Sequence, residues 1–207
     1  MSQLEINLYK NDLPNDLVIQ GDIAIDTEAM GLLYKRDRLC AVQIADSFGN
    51  IYIIQIEKGV SKAPNLAKLL EAPDNFKIFH FARFDVAILQ QYLSIEVKNI
   101  FCTKIASKLV RTYTDSHGLK DLCRELLGVQ LSKQQQSSDW GADVLTKEQL
   151  IYGANDVLHL HQLKAKLVEM LIREERLELA QSCFNFISVR TQLDLAGWEA
   201  VDIFSHN

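Results

Sequence analysis

The spacing of apolar residues changes about halfway along the chain, and this change restricts the fold more than any other feature. The first half holds apolar runs typical of strands, "IAIDTE", "LCAVQIAD" and "IYIIQI", separated by short polar turns such as "DSFGN". This order predicts an antiparallel meander. After "VKNIFCT", apolar residues recur at intervals of three and four, which indicates helices. We therefore expect an α/β protein, with a mixed sheet flanked by helices and a helical C-terminal half.

The individual segments support this division. "NLAKLLE" and "ARFDVAILQQYL" predict helices, and "KIFHF" between them predicts a short buried strand. Farther along, "TKIASKLVRTY", "GLKDLCRELLG" and one continuous stretch from about Thr146 to Glu175 predict helices. A chain of 207 residues, 48% of them hydrophobic, is long enough for one sizeable core, so we expect a single domain over residues 1–207.

Composition excludes several classes of protein. No run of about 18 apolar residues is present, and the first residues are neither basic nor apolar, so we expect no membrane span, no signal peptide and a cytoplasmic location. The four cysteines are far apart in apolar segments, which favours buried free thiols over a zinc site: Cys40, Cys102, Cys123 and Cys183. The net charge of −5 argues against a broad basic surface for long duplexes, but it permits a short or metal-held phosphate substrate.

Four acidic residues fall on faces that should turn inward. Asp26 and Glu28 are two residues apart at the end of a strand, so their side chains point the same way. Asp85 shares a helix face with Ile88 and Leu89. Asp156 lies on the apolar stripe of the long predicted helix, one turn after Tyr152 and ahead of the leucines Leu160, Leu163 and Leu167.

Burial of an ionised carboxylate is costly unless something compensates its charge. Each acid could have its own basic residue or backbone amide, and for one acid alone this is the simpler explanation. Four together favour cations, and a cluster of oxygen ligands suits Mg²⁺ or Mn²⁺ better than zinc. Two such ions can stabilise the attacking and leaving oxygens of a phosphoryl displacement, so the chemistry indicated is phosphodiester hydrolysis.

The segments "DTE", "HFARFD" and "YGAND", taken in this order, resemble the DEDD superfamily of 3′-to-5′ exonucleases, in the branch with tyrosine in its last motif. The resemblance implies an RNase H-like fold and two ions, Mg²⁺ or Mn²⁺, held by Asp26, Glu28, Asp85 and Asp156. It also implies that Tyr152 orients the attacking water. Many members have asparagine where this chain has Phe81, so a polar contact is missing there unless His80 supplies it.

Further segments narrow the resemblance. "TYTDSHGLKDLCRELLGVQLSKQQQSSDW" is similar to the ribonuclease D group, and the terminal "LDLAGWEAVDIFSH" and the compact size are similar to the nanoRNase C group. That group implies octameric assembly and very short single-stranded RNA, dinucleotides included, as substrate. We expect substrate contacts from Thr27, Leu32, His80, Lys133, Gln136 and Tyr152, with Leu32 as an apolar wedge between terminal bases and Trp140 anchoring the polar segment before it.

Three functions stay open at this point. The first is an exoribonuclease that cleaves dinucleotides and other short RNA to mononucleotides. The second is a broader ribonuclease D-like exonuclease that trims longer RNA or DNA 3′ ends. The third, a catalytically silent binding scaffold, is disfavoured because such a protein has no chemical need for the acids and Tyr152.

Overall fold

The computed structural model describes residues 5–131 and 138–206, and within them one sheet of six strands forms the centre of the fold. The strands lie in the order β1-β4-β3-β2-β5-β6. Their bounds are Ile6–Lys10 (β1), Ile23–Ala29 (β2), Leu39–Asp46 (β3), Ile51–Gln55 (β4), Lys77–Phe79 (β5) and Ile100–Cys102 (β6).

The sheet is mixed. Strand β2 pairs antiparallel with β3, and β3 pairs antiparallel with β4, which confirms the predicted meander. The remaining pairs, β1 with β4, β2 with β5 and β5 with β6, are parallel. Parallel neighbours need crossover connections, and helices lie between β4 and β5 and between β5 and β6, whereas the connection from β1 to β4 runs through β2 and β3. The mixed sheet and the helical second half confirm the predicted fold class.

Strand β1 was not predicted from sequence. Its residues are mostly half-exposed, and it lies at the edge of the sheet beside β4. A short edge strand of this kind has no continuous apolar run, so only its pairing with a segment 45 residues later reveals it.

Seven helices are present among the described residues, and most agree with the apolar spacing. Helix α2 (Ala82–Leu93) covers the whole of "ARFDVAILQQYL", and α4 (Leu119–Leu122) continues directly into a π-helical turn, Cys123–Leu127. Helix α7 (Leu177–Leu193) is followed by a further turn, Asp194–Trp198, that is kinked at Gly197, where φ is 103°. The helix bounds are Pro64–Glu71 (α1), Ala82–Leu93 (α2), Thr103–Val110 (α3), Leu119–Leu122 (α4), Lys147–Leu158 (α5), Leu160–Arg173 (α6) and Leu177–Leu193 (α7).

The prediction of one continuous helix from about Thr146 to Glu175 is wrong. The chain breaks at His159, where α5 ends and α6 begins. The reason is tertiary, because α5 packs on β2, β3 and β4, whereas the main partner of α6 is α3. The supposed stripe from Tyr152 to Leu167 therefore belongs to two helices with different partners.

The cysteines are free thiols, as predicted. Cys40, Cys102 and Cys123 are buried, but Cys183 is only partly buried, which corrects the expectation that all four lie in the core. Over the described parts of the chain, no helix combines the length and the apolar character that crossing a bilayer requires.

Candidate active site

Two acidic residues lie near the end of strand β2, which pairs with β3 on one side and with β5 on the other. Asp26 and Glu28 are both half-buried side chains of β2, and alternation along the strand places them on the same face. Directly opposite Asp26 on β3 is Gln43, which is fully buried. The pairing of β2 with β3 shifts register between Glu28 and Ala29, so the strand becomes irregular where the acids end.

A third acid comes from helix α5. This helix begins with a capping box, in which the Thr146 hydroxyl accepts the Gln149 backbone N–H at 3.2 Å and the Gln149 side chain accepts the Thr146 N–H at 2.8 Å. The cap sets where the helix starts, and Asp156 then reaches the two acids of β2. One oxygen each from Asp26, Glu28 and Asp156 lie within 4.8 Å of one another.

The fourth acid, Asp85, lies in the first turn of α2 and is buried. The hydroxyl of Thr27 donates a hydrogen bond of 2.6 Å to its Oδ1 atom. Asp85 is not part of the three-oxygen cluster, but its charge raises the pKa of both Asp26 and Glu28. The structure thus brings together all four acids singled out in the sequence. Thr27, which was expected to contact substrate, forms a hydrogen bond with Asp85.

Burial and mutual repulsion dominate the electrostatics of these acids. Burial is the largest cause in each case; it raises the pKa of Asp85 and of Asp156 to about 7 and contributes most to the rise of the Glu28 pKa to about 9. The pKa of Asp26 is raised well above its usual value by burial and by the charges of the other three acids. In the described part of the chain no ion pair involves any of the four, which argues against separate neutralisation by basic neighbours.

Tyr152 lies beside this cluster, half-buried and one helical turn before Asp156. Its hydroxyl lies close enough to the Asp156 carboxylate to lower the pKa of that acid, and its ring lies 6.2 Å from the ring of Trp140, centre to centre. Burial and the neighbouring carboxylates raise the pKa of Tyr152 far above its usual value. The phenol therefore stays protonated and acts as a hydrogen-bond donor.

The donor set fits a divalent cation. The ligand atoms offered are carboxylate oxygens from Asp26, Glu28 and Asp156, with Asp85 close enough to perturb them. Hard cations such as Mg²⁺ prefer such oxygens, and a cation would offset the repulsion that now favours protonated acids.

The acids line a cavity of about 780 Å³ that is large enough for a short nucleotide chain. Leu32 contributes to its wall with a side chain that is 79% exposed. Two cationic side chains that sequence reasoning missed, Lys104 of α3 and Lys120 of α4, also line it. No local pattern marks these lysines, because only the parallel pairing of β5 with β6 brings the start of α3 to the acids.

His80 and Phe81 occupy the turn between β5 and α2 and line the same cavity. His80 is half-buried, its Nδ1 atom lies 2.9 Å from the Thr103 hydroxyl, and burial lowers its pKa to about 3, so it is neutral. Phe81, at the position of the missing asparagine, has a left-handed backbone with φ 70°, and the Lys104 ammonium lies 4.4 Å from its ring centre.

Two expected substrate contacts, Lys133 and Gln136, lie outside the described residues. The end of their segment is described: Ser138 lines the cavity, and Trp140 is buried beside Tyr152. The Gln149 side chain donates to the Ser138 hydroxyl at 3.1 Å and to the Asp139 carbonyl at 3.0 Å. These contacts attach Ser138 and Asp139 to the start of α5, and the anchoring role of Trp140 stays a prediction.

Comparison with known proteins agrees with this geometry. Residues 7–172 match the 3′-5′ exonuclease family. A ribonuclease D of Gluconacetobacter diazotrophicus is 33% identical over 166 residues, which cover 80% of this chain and 42% of that protein. The chain thus spans less than half the length of this curated relative.

Solved structures include close matches over the full length. NrnC of Brucella melitensis is 55% identical, with a TM-score of 0.94 over 98% of this chain and 99% of that one. The same protein has been solved with bound Mg²⁺, at 53% identity and a TM-score of 0.93, and bound to pGG, at 53% identity and a TM-score of 0.95. Escherichia coli RNase D is 25% identical, with a TM-score of 0.72 over 83% of this chain and 45% of that one.

Proposed function

The chain belongs to the 3′-5′ exonuclease family, and from this premise we propose that it is a metal-dependent 3′-to-5′ exoribonuclease acting on very short RNA. It hydrolyses dinucleotides and other oligoribonucleotides to nucleoside 5′-monophosphates. The observation that carries the proposal is the group of carboxylates at the wall of a cavity, three of them with oxygens within 4.8 Å of one another, that form no ion pair with any residue the structure describes. Apolar residues at these positions would stabilise the fold better than such a group does.

Asp26, Glu28, Asp85 and Asp156 would hold two divalent ions, Mg²⁺ or Mn²⁺. Asp26, Glu28 and Asp156 would offer oxygens to one ion, and Asp85 would help to hold the other. When bound, such ions stabilise charge on the scissile phosphate and make water a better nucleophile. The Thr27 hydroxyl, which donates to Asp85, keeps that carboxylate aimed at the site.

Tyr152 orients the attacking water. Its hydroxyl stays protonated and lies at the Asp156 carboxylate, so it can share a hydrogen-bonded water with that acid. Because its pKa is raised far above neutrality, Tyr152 does not itself take up the proton of the water.

The cavity walls supply contacts for a short substrate. The exposed Leu32 side chain can insert against a terminal base, and the Lys104 ammonium faces the same space as the acids and can meet a phosphate. His80, being neutral, acts as a hydrogen-bonding group. Likeness to NrnC bound to pGG supports a substrate of two nucleotides.

A length series tests the proposal. We expect the rate of 5′-monophosphate release with Mg²⁺ to be highest for 5′-phosphorylated dinucleotides and to fall steeply for RNA of up to about twenty nucleotides. The Asp156→Asn variant, which keeps the size of the side chain and removes its charge, serves as the matched inactive control. Equal or higher rates on long structured RNA would contradict the short-substrate proposal, and a parallel series of DNA would show whether the sugar matters.

A ribonuclease D-like activity on longer 3′ ends is the second candidate. It is favoured by the 33% identity to a ribonuclease D, which covers most of this chain. Cleavage of long RNA at rates matching those of the dinucleotide would establish it.

We also propose that copies of this chain associate, as an octamer if the resemblance to the nanoRNase C group extends to assembly. The support is a set of large apolar side chains that are exposed from α7 onward: Leu177, Leu179, Phe186, Val189, Trp198, Val201, Ile203 and Phe204. Soluble monomers seldom expose so many apolar side chains in one region of the chain.

A further inference from the structure

The connection between β2 and β3 carries the most exposed leucine at the cavity. Leu32 is 79% exposed, and its neighbours Met30 and Leu33 are 53% and 54% exposed. Packing in the core therefore does not determine where the Leu32 side chain lies. Something else must define the backbone that presents it.

The carboxylate of Asp37 is at the centre of this connection and is only 5% exposed. Its Oδ2 atom accepts the backbone N–H of Leu33 at 2.9 Å. Arg36 donates from Nε to Oδ1 at 2.6 Å and from a terminal nitrogen to Oδ2 at 2.8 Å, which makes a bidentate pair. The carboxylate is thus bonded directly to the backbone next to Leu32.

Gly31 lets the Asp37 carboxylate approach on the other side of Leu32. A Cβ atom at Gly31 would lie 2.3 Å from Asp37 Oδ2 and 2.8 Å from its Cγ, distances that no real side chain tolerates. The residues before and after Leu32 are therefore both in contact with one buried carboxylate.

Backbone hydrogen bonds close the same connection into a compact unit. The Asp37 N–H donates to the Leu33 carbonyl at 2.8 Å, and the Met30 N–H donates to the Arg38 carbonyl at 3.0 Å. Hydrogen bonds from Arg36 and from the Leu33 N–H hold the pKa of Asp37 at about 2, so the carboxylate stays ionised over the working pH range.

We propose that Asp37 is a positioning residue, which holds Leu32 at the cavity wall in the conformation that contacts a terminal base of the substrate. This inference rests on the proposed function, in which Leu32 touches the substrate. The physical reason is preorganisation: a side chain that is already ordered does not lose conformational freedom on binding.

A double-mutant cycle tests this role, with pGG as substrate and Mg²⁺ present. Asp37→Ala is expected to raise KM by about three- to tenfold, the range that ordering one mobile side chain costs, with kcat much less affected. Leu32→Ala is expected to raise KM by a similar or larger factor. In the Leu32→Ala background, Asp37→Ala should then have almost no further effect on KM, because Asp37 acts through Leu32.

A purely structural role for Asp37 predicts a different result, since the losses would multiply in the double variant and kcat would fall with them. That outcome would overturn the proposal. Asp37→Asn keeps one acceptor oxygen for the Leu33 N–H and is expected to restore part of the affinity, and it provides the same test if Asp37→Ala does not fold. Asp16→Ala, which removes an exposed carboxylate from the connection between β1 and β2, is the matched control and should leave KM unchanged.

Failure of this inference is distinguishable from failure of the proposed function. If the wild-type protein does not cleave pGG with Mg²⁺, the proposed function is wrong. If the wild type cleaves pGG but the two substitutions act independently, only the role of Asp37 is wrong.

Discussion

Replacing Tyr152 with phenylalanine removes one oxygen beside Asp156 and leaves the ring against Trp140. We expect Tyr152→Phe to keep the fold and to lower kcat on pGG by about a hundredfold or more, the usual contribution of a positioned proton donor. KM should change little, because the phenol contacts the water rather than the bases. The control is Tyr9→Phe on β1, away from the cavity, and near-normal turnover by Tyr152→Phe would remove this residue from the mechanism.

The close approach of Asp156 to the other acids should lower the stability of the metal-free protein. With metal removed by EDTA, the folded protein binds more protons than the unfolded chain between pH 4 and pH 7, because the folded pKa values of Asp85 and Asp156 lie at about 7. Stability without metal should therefore fall as the pH rises through this window. At pH 8 in EDTA, Asp156→Asn is expected to raise the free energy of unfolding by about 1–3 kcal/mol.

With Mg²⁺ added, the wild type should become more stable than Asp156→Asn. The ion stabilises the wild type by binding the folded state, and it should stabilise Asp156→Asn much less because one ligand charge is missing. Denaturant unfolding with and without Mg²⁺ measures both effects. A wild type that is equally stable at pH 5 and pH 8 in EDTA would contradict the electrostatic account.

At the residue scale, alternation along β2 and helical spacing indicated that Asp26, Glu28, Asp85 and Asp156 face inward, and the resemblance to the exonuclease family predicted that they share one site. Lys104 and Lys120 could not be found in this way. Their positions depend on how separate elements pair, and nothing in their local sequence distinguishes them from solvated lysines.

The position of helix α5 on the sheet decides how far Asp156 lies from Asp26. Gly153, the residue after Tyr152, contacts Gln43 so closely that a Cβ atom would lie 2.9 Å from Gln43 Cγ and 3.1 Å from its Nε2. Gln43 is fully buried, and among the described residues neither polar atom of its side chain has a hydrogen-bond partner. This contact sets the closest approach of α5 to β3.

Gly153→Ala is expected to push α5 away from β3, to lower stability by about 1–3 kcal/mol and to raise the Mg²⁺ concentration needed for activity. Gln43→Ala makes room for the added methyl group. The double variant should therefore recover part of the stability and of the Mg²⁺ affinity lost in Gly153→Ala. Losses that simply add in the double variant, measured by denaturant unfolding and Mg²⁺ titration, would show that the two residues do not act through this contact.

Elements that their own apolar residues define were predictable, and elements that depend on packing against other elements were not. Helix α2 was predicted to the residue because its apolar residues recur from its first residue to its last. The break at His159 has no proline or glycine to mark it and follows from the separate packing of α5 and α6. Strand β1 likewise depends on β4 for its existence as a strand.

At the scale of the whole molecule, the exposed apolar side chains are concentrated at the C-terminal end. The rings of Phe186 on α7 and Phe204 lie 5.9 Å apart, and Phe204 is still 72% exposed. If this surface joins copies of the chain, Phe204→Asp should lower the molar mass measured by light scattering. Phe48→Asp, at an equally exposed phenylalanine in the turn between β3 and β4, is the matched control. A wild type with the mass of one chain would contradict the association.

Strand β2 is held by β3 along its length and by β5 at its beginning, so Asp26 and Glu28 cannot move apart to relieve their repulsion. The acids can respond only by retaining hydrogen ions, which arriving cations must displace. Titrating Mg²⁺ into metal-free protein in weakly buffered solution near neutral pH should therefore acidify the sample. The amount of acid released reports how many hydrogen ions the metal-free acids retain because the strand that carries them is rigid.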